Sequence, residues 1–203
     1  RDMLYKKLSN EQIGQLKTFA KDNNVSFVFE CVDMTNDPHI IEYPHDELFL
    51  LDIVYNELQF RKMPYKDMEQ VADELGLIPK TFAGTINTWS EFYAWYRNVL
   101  KEDYTYKGRI IEGFVIEDSD GFMVKLKLTY YHFWRFMRSI ACEAIKKGYV
   151  DPRRTSALTS PLANQFYGWV RTLHDVDNLG IMPEDICTLR RMFYATEAGK
   201  AFI

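Results

Sequence analysis

Helical and β-rich runs alternate along the first part of the chain. Ser9 and Gln12 form a capping box, and apolar residues then recur at helical spacing, so the pattern predicts a helix over 9–23. The alternating run NVSFVFECVDM predicts a strand, and HIIEYPHDELFLLDIVYN predicts two more, separated by a Pro-His-Asp turn. We expect these three strands to form a meander.

The middle of the chain continues this mixture. YKDMEQVADELG predicts a short helix that ends at Gly76, and LIPKTFAG predicts an edge strand because of its proline. Thr88 and Glu91 form a second capping box, which predicts the start of another helix. Two strands then flank EDSDG, whose Asp-Gly pair supplies the positive φ that a hairpin turn needs.

From residue 130 onward the pattern becomes helical. Apolar residues at spacings of three and four predict helices over 132–147, 160–175 and 182–197, with Ser160-Pro161 and Pro183 as start signals. The predicted fold class is therefore α+β up to about residue 130, followed by an all-helical tail. We place the domain boundary between 1–131 and 132–203.

The composition narrows the class of protein. Of 203 residues, 47% are hydrophobic and 15% aromatic, which is typical of a folded globular chain. No apolar run approaches the roughly 20 residues of a membrane span, and the N-terminal segment lacks a signal peptide's apolar core, so we predict a cytoplasmic location and no membrane contact. The net charge of −4 argues against wholesale nucleic-acid binding but leaves a local basic groove open. The three cysteines are predicted to be reduced core thiols.

The predicted hairpin carries charges that its apolar strands do not explain. Glu112 lies in the first strand, and Lys125 and Lys127, two residues apart, share one face of the second. One interpretation is a solvated sheet face, which is common in antiparallel sheets. The other is a site for a polyphosphate with its metal ion, which needs positive charges beside a carboxylate.

The order of four short runs favours the second interpretation. FVFECVD, ELFLLDIV, EGFVI and MVKLK follow one another as motifs III, IIIa, IV and V do in covalent nucleotidyltransferases. The chain resembles the ATP-dependent RNA ligases of the T-even phage RNA ligase 1 type and the adenylyltransferase domain of fungal tRNA ligases, from about residue 26 to 131. The resemblance implies an antiparallel-sheet nucleotidyltransferase core of the ATP-grasp-like ligase type.

The resemblance also implies roles for individual residues. Glu30 matches the motif III glutamate, which contacts the adenosine ribose. Glu112 matches the motif IV glutamate associated with Mg²⁺, and Gly113 is expected to let the backbone approach the nucleotide closely. Lys125 and Lys127 match the motif V lysines, which contact phosphate and stabilise charge during adenylyl transfer.

Motif IIIa departs from the family pattern. The position that often holds an adenine-stacking aromatic residue is Leu48 here, with Phe49 beside it on the opposite face. We expect Leu48 to offer the base an apolar surface and Phe49 to lie in the core.

The nucleophile of the family is missing from the printed sequence. That residue is the lysine of a Lys-x-Asp-Gly motif upstream of motif III, and no lysine here has glycine three residues later. We therefore expect a truncated portion of a ligase that lacks the ATP-consuming step. The alternative is a non-catalytic nucleotide- or RNA-binding module of the same fold. A DNA ligase or capping enzyme fits less well, because those carry OB-fold strands after motif V.

The implied activity is ATP-dependent sealing of RNA 5′-phosphate and 3′-hydroxyl ends through lysyl-AMP and RNA-adenylate, with RNA as partner and a broken tRNA as one candidate. A basic cluster around the first tail helix is either a solvated surface or a path for the RNA backbone. Its members are Arg135, Arg138, Lys146, Lys147, Arg153 and Arg154.

Two other groups of residues are assigned simpler roles. A metal site is conceivable at Asp37, His39, His45 and Asp46, but histidines beside prolines favour hydrogen-bonded turns. The four tryptophans lie on predicted helices and are expected to be core residues rather than base-stacking platforms. They are Trp89, Trp95, Trp134 and Trp169.

Overall fold

Two units make up the fold, and the chain passes between them more than once. A computed structural model describes residues 2–37, 39–174 and 180–203. One unit contains the chain up to Asp37 together with Tyr43–Thr85; the other contains Ile86–Ile203 and a short segment ending at Glu42. The domain boundary at residue 131, between a ligase domain and a helical domain, remains a prediction.

The first unit is a three-stranded sheet with helices. The order in the sheet is β1-β2-β3; β1 and β2 are antiparallel, and the two-residue β3 runs parallel to β2. Its elements are α1 Asp2–Lys7, α2 Asn10–Asp22, β1 Val25–Val32, β2 Glu47–Tyr55, α3 Tyr65–Leu75 and β3 Ile78–Pro79.

Local sequence signals place the helices of this unit correctly. Ser9 accepts a hydrogen bond from the Gln12 amide, and the Gln12 side chain bonds back to the Ser9 amide, so the predicted capping box is confirmed. Gly76 ends α3 in the left-handed conformation, as predicted. α2, α3 and one face of the sheet form a common core, which includes Leu16, Val25, Leu50, Ile53 and Met68.

One predicted strand is absent from the described residues. The segment 39–42 forms no strand, so the three-strand meander is wrong. Ile40 and Ile41 are buried, and the carbonyl of Ile40 accepts a hydrogen bond from Arg190, within the second unit. The apolar run therefore serves tertiary packing instead of strand pairing.

The second unit combines a hairpin with a helical bundle. β4 and β5 pair antiparallel and form their own two-stranded sheet. Its elements are α4 Trp89–Val99, β4 Gly113–Glu117, β5 Met123–Lys127, α5 Thr129–Lys147, α6 Pro152–Thr155, α7 Pro161–Arg171, α8 Ile186–Ala195 and α9 Glu197–Lys200. The α+β class is confirmed, with helices rather than OB-fold strands after the hairpin.

Aromatic side chains organise the helical core of this unit. Trp134 on α5, Phe166 on α7 and Phe193 on α8 are fully buried. The ring centroid of Phe166 lies 5.4 Å from those of both Trp134 and Phe193, each in an edge-to-face arrangement. The burial of Trp134 confirms the core prediction for that tryptophan.

Several boundaries and placements differ from the predictions. The last long helix begins at Ile186, with Asp185 as its cap, rather than at 182 near Pro183, because the Asp185 side chain accepts the Thr188 amide. The predicted helix end at 175 and part of the connection 177–182 lie outside the described residues. Cys31 is exposed near the end of edge strand β1, so the core prediction is wrong for that thiol. In the described parts of the chain, no helix has the length and apolarity of a membrane span.

Candidate functional site

The β4–β5 hairpin places both motif V lysines on one face. Gly113 is opposite Lys127 and Val115 is opposite Lys125 in the antiparallel register. Residues that alternate along a strand share a face, so Lys125, Lys127 and Val115 project from the same side. Phe114 projects from the other side and packs against aromatic residues that include Trp95. The hairpin therefore has one aromatic, packed face and one lysine-bearing face.

Glu112 and Lys127 meet at the base of this hairpin. The Lys127 ammonium forms an ion pair with the Glu112 carboxylate, and both side chains are largely shielded from solvent. The Leu128 amide donates to the Glu112 carbonyl at 2.9 Å, which continues the strand pairing past Gly113. The Lys127 Nζ also lies 4.6 Å from the centroid of the Tyr131 ring, a cation–π contact. Lys127 is thus held in place, whereas Lys125 is exposed.

Gly113 has a structural requirement of its own. A Cβ atom at this position would lie 1.9 Å from the carbonyl oxygen of Leu126, far inside van der Waals contact. The paired strand therefore demands glycine here, independently of any nucleotide. Close approach to a nucleotide remains a prediction for this residue.

Strands β1 and β2 position the residues of motifs III and IIIa. Glu30 is opposite Phe49, and Cys31 is opposite Leu48, so Glu30 and Phe49 share a face while Leu48 projects from the other. Leu48 is buried, only 6% exposed, and it lies on the same side of the sheet as Leu50, which belongs to the core of this unit. This arrangement differs from the sequence interpretation, which placed Leu48 at the base and Phe49 in the core.

A charged cluster on the Glu30 face was missed by the sequence analysis. Asp52 is opposite Val28 and hence on the same side of the sheet as Glu30. Its carboxylate contacts the Lys80 ammonium at 2.8 Å and the Lys62 ammonium at 3.4 Å. The one signal in the sequence is an aspartate within the apolar strand run ELFLLDIV, which indicates a paired charge.

The predicted site residues therefore fall into two groups. Glu30 and Leu48 belong to the first unit, and Glu112, Lys125 and Lys127 to the second. In the second unit Lys125 and Lys127 share a strand face, and Glu112, which directly precedes β4, pairs with Lys127. Paired carboxylates and lysines on strand faces are suited to binding a polar, phosphorylated ligand.

Comparison with known proteins indicates the family to which this site belongs. The RNA ligase family profile matches residues 1–131, from α1 through the hairpin and into the first turn of α5. The chain belongs to the RNA ligase family.

Similarity to one curated protein agrees with this family assignment. The chain is 28% identical over 144 residues to a protein named tRNA ligase from Candida albicans. That alignment covers 64% of the chain but 17% of the relative. The chain therefore spans less than a fifth of the length of the curated relative it matches.

The predicted basic path of this family member is largely paired with acids. Arg153 contacts Asp151 at 2.7 Å, and Arg154 contacts Glu143 at 2.6 Å. Hydrogen bonding to Arg153 lowers the pKa of the Asp151 carboxyl. Glu143 also lies 3.5 Å from Lys147.

One more member of the basic path forms an ion pair. Lys146 pairs with Glu184, whose pKa is lowered chiefly by that hydrogen bond. Arg135 is exposed and Arg138 is half-buried. A phosphate backbone would have to compete with these carboxylates, so the RNA path over this surface stays a prediction.

Candidate metal ligands are sparse in the described residues. Across residues 2–37, 39–174 and 180–203, no three His, Cys, Asp or Glu side chains cluster so as to hold an ion. Asp46 instead accepts a hydrogen bond from the Met34 amide, and His45 contacts Glu47 at 3.0 Å. Glu112 offers a single carboxylate, which suits Mg²⁺ when substrate phosphates and water complete its octahedral shell.

Proposed function

We propose that this chain is a portion of an ATP-dependent RNA ligase that joins RNA 5′-phosphate and 3′-hydroxyl ends. The observation that carries the proposal is the Glu112–Lys127 ion pair at the base of the hairpin, inside the segment that matches the RNA ligase family. The relative named tRNA ligase makes a broken tRNA the first substrate to test.

The proposed chemistry proceeds in three displacements at phosphorus. A lysine nitrogen of the full-length enzyme attacks the α-phosphorus of ATP and pyrophosphate leaves; the RNA 5′-phosphate then takes the AMP and frees the lysine. Finally a 3′-hydroxyl oxygen bonds to the 5′-phosphorus, its proton passes to solvent, and AMP leaves. Each displacement builds negative charge on the phosphoryl oxygens, which positioned cations stabilise.

The hairpin residues supply that charge stabilisation in this proposal. Lys125 is exposed, so its ammonium is accessible to a phosphate from solution. Lys127 is oriented by Glu112 and Tyr131, which limits its loss of side-chain entropy on binding. Glu112 would hold Mg²⁺, which would neutralise phosphate charge, and Lys127 would then turn from Glu112 toward the phosphate.

The first unit provides the nucleoside contacts in this proposal. The exposed Glu30 carboxylate accepts hydrogen bonds from the ribose hydroxyls. Because Phe49 shares the Glu30 face and Leu48 does not, we assign the apolar contact with adenine to Phe49. The assignment restores an aromatic residue at this motif.

The test measures transfer of radiolabelled AMP to the full-length protein. We expect Lys125→Ala, Lys127→Ala and Glu112→Gln to lower the labelling rate by at least about 100-fold, in line with the loss of one positioned charge-stabilising group. Lys66→Ala, which removes an exposed lysine from α3, serves as the matched control. Wild-type labelling in the three hairpin variants would overturn the roles assigned to them.

A second candidate function follows from one specific observation. The sequence contains no Lys-x-Asp-Gly motif, so the alternative is a module that binds nucleotide or RNA without forming lysyl-AMP. The same experiment separates the two: a full-length protein that binds ATP in equilibrium dialysis but never becomes labelled supports the binding module.

A further inference from the structure

The outer face of α4 carries an exposed aromatic stripe. Trp89 is 78% exposed and Tyr93 is 56% exposed, and these residues follow one another at four-residue spacing along one side of the helix. Arg97 continues the stripe, with its guanidinium carbon 5.8 Å from the centroid of the Tyr93 ring. The core prediction for Trp89 is therefore wrong.

The inner face of the same helix explains this orientation. Trp95 packs edge-to-face on Phe114 of the hairpin, with ring centroids 5.2 Å apart, and Val99 is fully buried. Trp89 stacks on Phe92 at a centroid distance of 5.2 Å and an interplanar angle of 23°. Phe92 thus covers one face of the Trp89 indole, and the rest of the ring is accessible to a ligand.

The neighbours of the stripe on the helix are small. Ser90 and Ala94 are exposed beside the rings, and past the end of the helix Lys101 is followed by exposed Glu102 and Asp103. Glu91 projects to the other side, where its carboxylate accepts the amides of Asn87 and Thr88. Along this described stripe the formal charge is positive, although the chain as a whole carries −4.

Exposed tryptophan and tyrosine beside arginine form the surface that single-stranded nucleic acids use. Every base has an apolar face that stacks on an aromatic ring, and arginine binds the neighbouring phosphate. A protein partner would gain less binding free energy than a nucleic acid here, because the apolar strip is narrow and carries a single positive charge. We propose that the Trp89–Tyr93–Arg97 stripe binds single-stranded RNA, with bases stacked on the two rings and phosphate held by Arg97.

This surface is separate from the lysine-bearing face of the hairpin. The Phe114 side of the hairpin contacts the inner face of α4, so the stripe and the two lysines lie on opposite sides of that packed layer. The proposal rests on membership in the RNA ligase family and not on the roles of Lys125 and Lys127. It assigns to α4 a contact with RNA away from the ends being joined.

Fluorescence anisotropy with the 203-residue chain and a labelled, unstructured 20-nucleotide RNA tests the stripe. We expect Trp89→Ala and Tyr93→Ala each to weaken binding about 5- to 100-fold, the range for one lost base stack, and Trp89→Phe to restore most of the affinity. Arg97→Ala should lower the slope of log affinity against log salt by about one. Tyr149→Ala, which removes an aromatic residue that is 62% exposed outside the stripe, is the matched control and should leave affinity unchanged.

The alternative outcomes are distinct. Equal affinity of wild type and Trp89→Ala, with no quenching of tryptophan fluorescence by RNA, overturns the proposal. A dimer that Trp89→Ala abolishes while RNA affinity is unchanged also overturns it, in favour of contact between copies. Lys66→Ala should bind the RNA like wild type. If Lys125→Ala loses RNA affinity while Trp89→Ala keeps it, the hairpin and not the stripe binds RNA. Failure of the stripe leaves AMP labelling of the full-length protein intact, so the two proposals fail separately.

Discussion

The ammonium of Lys127 and the carboxylate of Glu112 form an ion pair at the base of the β4–β5 hairpin, one residue before the strand pairing at Gly113 begins. Each charge compensates the other, which accounts for a lysine inside an apolar strand and a glutamate directly before one. The pair also keeps the lysine pointed along the exposed face of the hairpin. A ligand that carries phosphates and a divalent cation can replace this ion pair, because its phosphates bind the lysine and its cation binds the glutamate.

Stability measurements distinguish the contribution of this ion pair to folding from its proposed role in AMP transfer. A double-mutant cycle with Glu112→Gln and Lys127→Met should give a coupling free energy of about 0.5–1 kcal/mol in chemical denaturation, because the pair is not fully buried. The expected loss of AMP labelling is much larger than that. A coupling of several kcal/mol would indicate that these residues serve folding instead.

Gly113 provides a test of the hairpin geometry itself. Gly113→Ala should destabilise the second unit by more than about 2 kcal/mol, because the new Cβ meets the Leu126 carbonyl at 1.9 Å. Gly168→Ala on α7 is the matched control: nothing lies within 4 Å of its added Cβ, and alanine should stabilise that helix by up to about 1 kcal/mol. Thermal denaturation of both variants measures the contrast. Equal melting temperatures would contradict the strand pairing at Gly113.

Local signals in the sequence predicted the elements that local interactions determine. Ser9 with Gln12 and Thr88 with Glu91 form their capping boxes within four residues, and both helices begin where these boxes predict. The hairpin was predicted from its own turn for the same reason. These features need no partner from elsewhere in the chain.

Features that depend on distant partners could not be predicted in this way. Ile40 and Ile41 have the apolar pattern of a strand, yet Ile40 is fixed by Arg190, which lies 150 residues later. In ELFLLDIV both alternating sets are apolar, so the pattern does not tell which of Leu48 and Phe49 faces Glu30; pairing with β1 decides that. The sequence also does not show whether any side chain covers an aromatic ring. For this reason Trp89 was assigned to the core.

Arg190 should be essential to the second unit. It is only 6% exposed; its Nη1 donates to the Ile40 carbonyl at 3.2 Å, and its guanidinium carbon lies 5.2 Å from the Trp134 ring centroid. Arg190→Ala should cost about 2–4 kcal/mol, because it leaves a cavity and removes the hydrogen bond to that carbonyl. Hydrogen exchange should then accelerate at Ile40 and Ile41. Arg191→Ala, which removes an exposed ion pair with Glu42, should change stability by less than about 1 kcal/mol; equal effects of the two variants would contradict this assignment.

The cysteines should differ in reactivity in the native chain. Burial raises the pKa of both the Cys31 and the Cys187 thiol, so the expected difference comes from access, since Cys31 is exposed and Cys187 is buried. Since the thiolate is the reactive species, iodoacetamide at pH 8 should modify Cys31 first and Cys187 only after unfolding. Mass spectrometry of peptides from a timed reaction checks the order. Modification of Cys187 at the rate of Cys31 would show that the core around Arg190 opens readily.

Lys146 and Glu184 should give the second unit a small pH-dependent stabilisation. Their hydrogen bond lowers the pKa of the glutamate and raises that of the lysine. A lowered carboxyl pKa contributes stability above the unfolded value of about 4.3, and this is lost as pH falls through the folded pKa. A raised ammonium pKa contributes stability below about 10.4, and this is lost as pH rises through the folded pKa. Glu184→Gln should therefore lower the melting temperature at pH 7 and match wild type near pH 3; a difference that persists at pH 3 would mean that the glutamate acts through packing instead of charge.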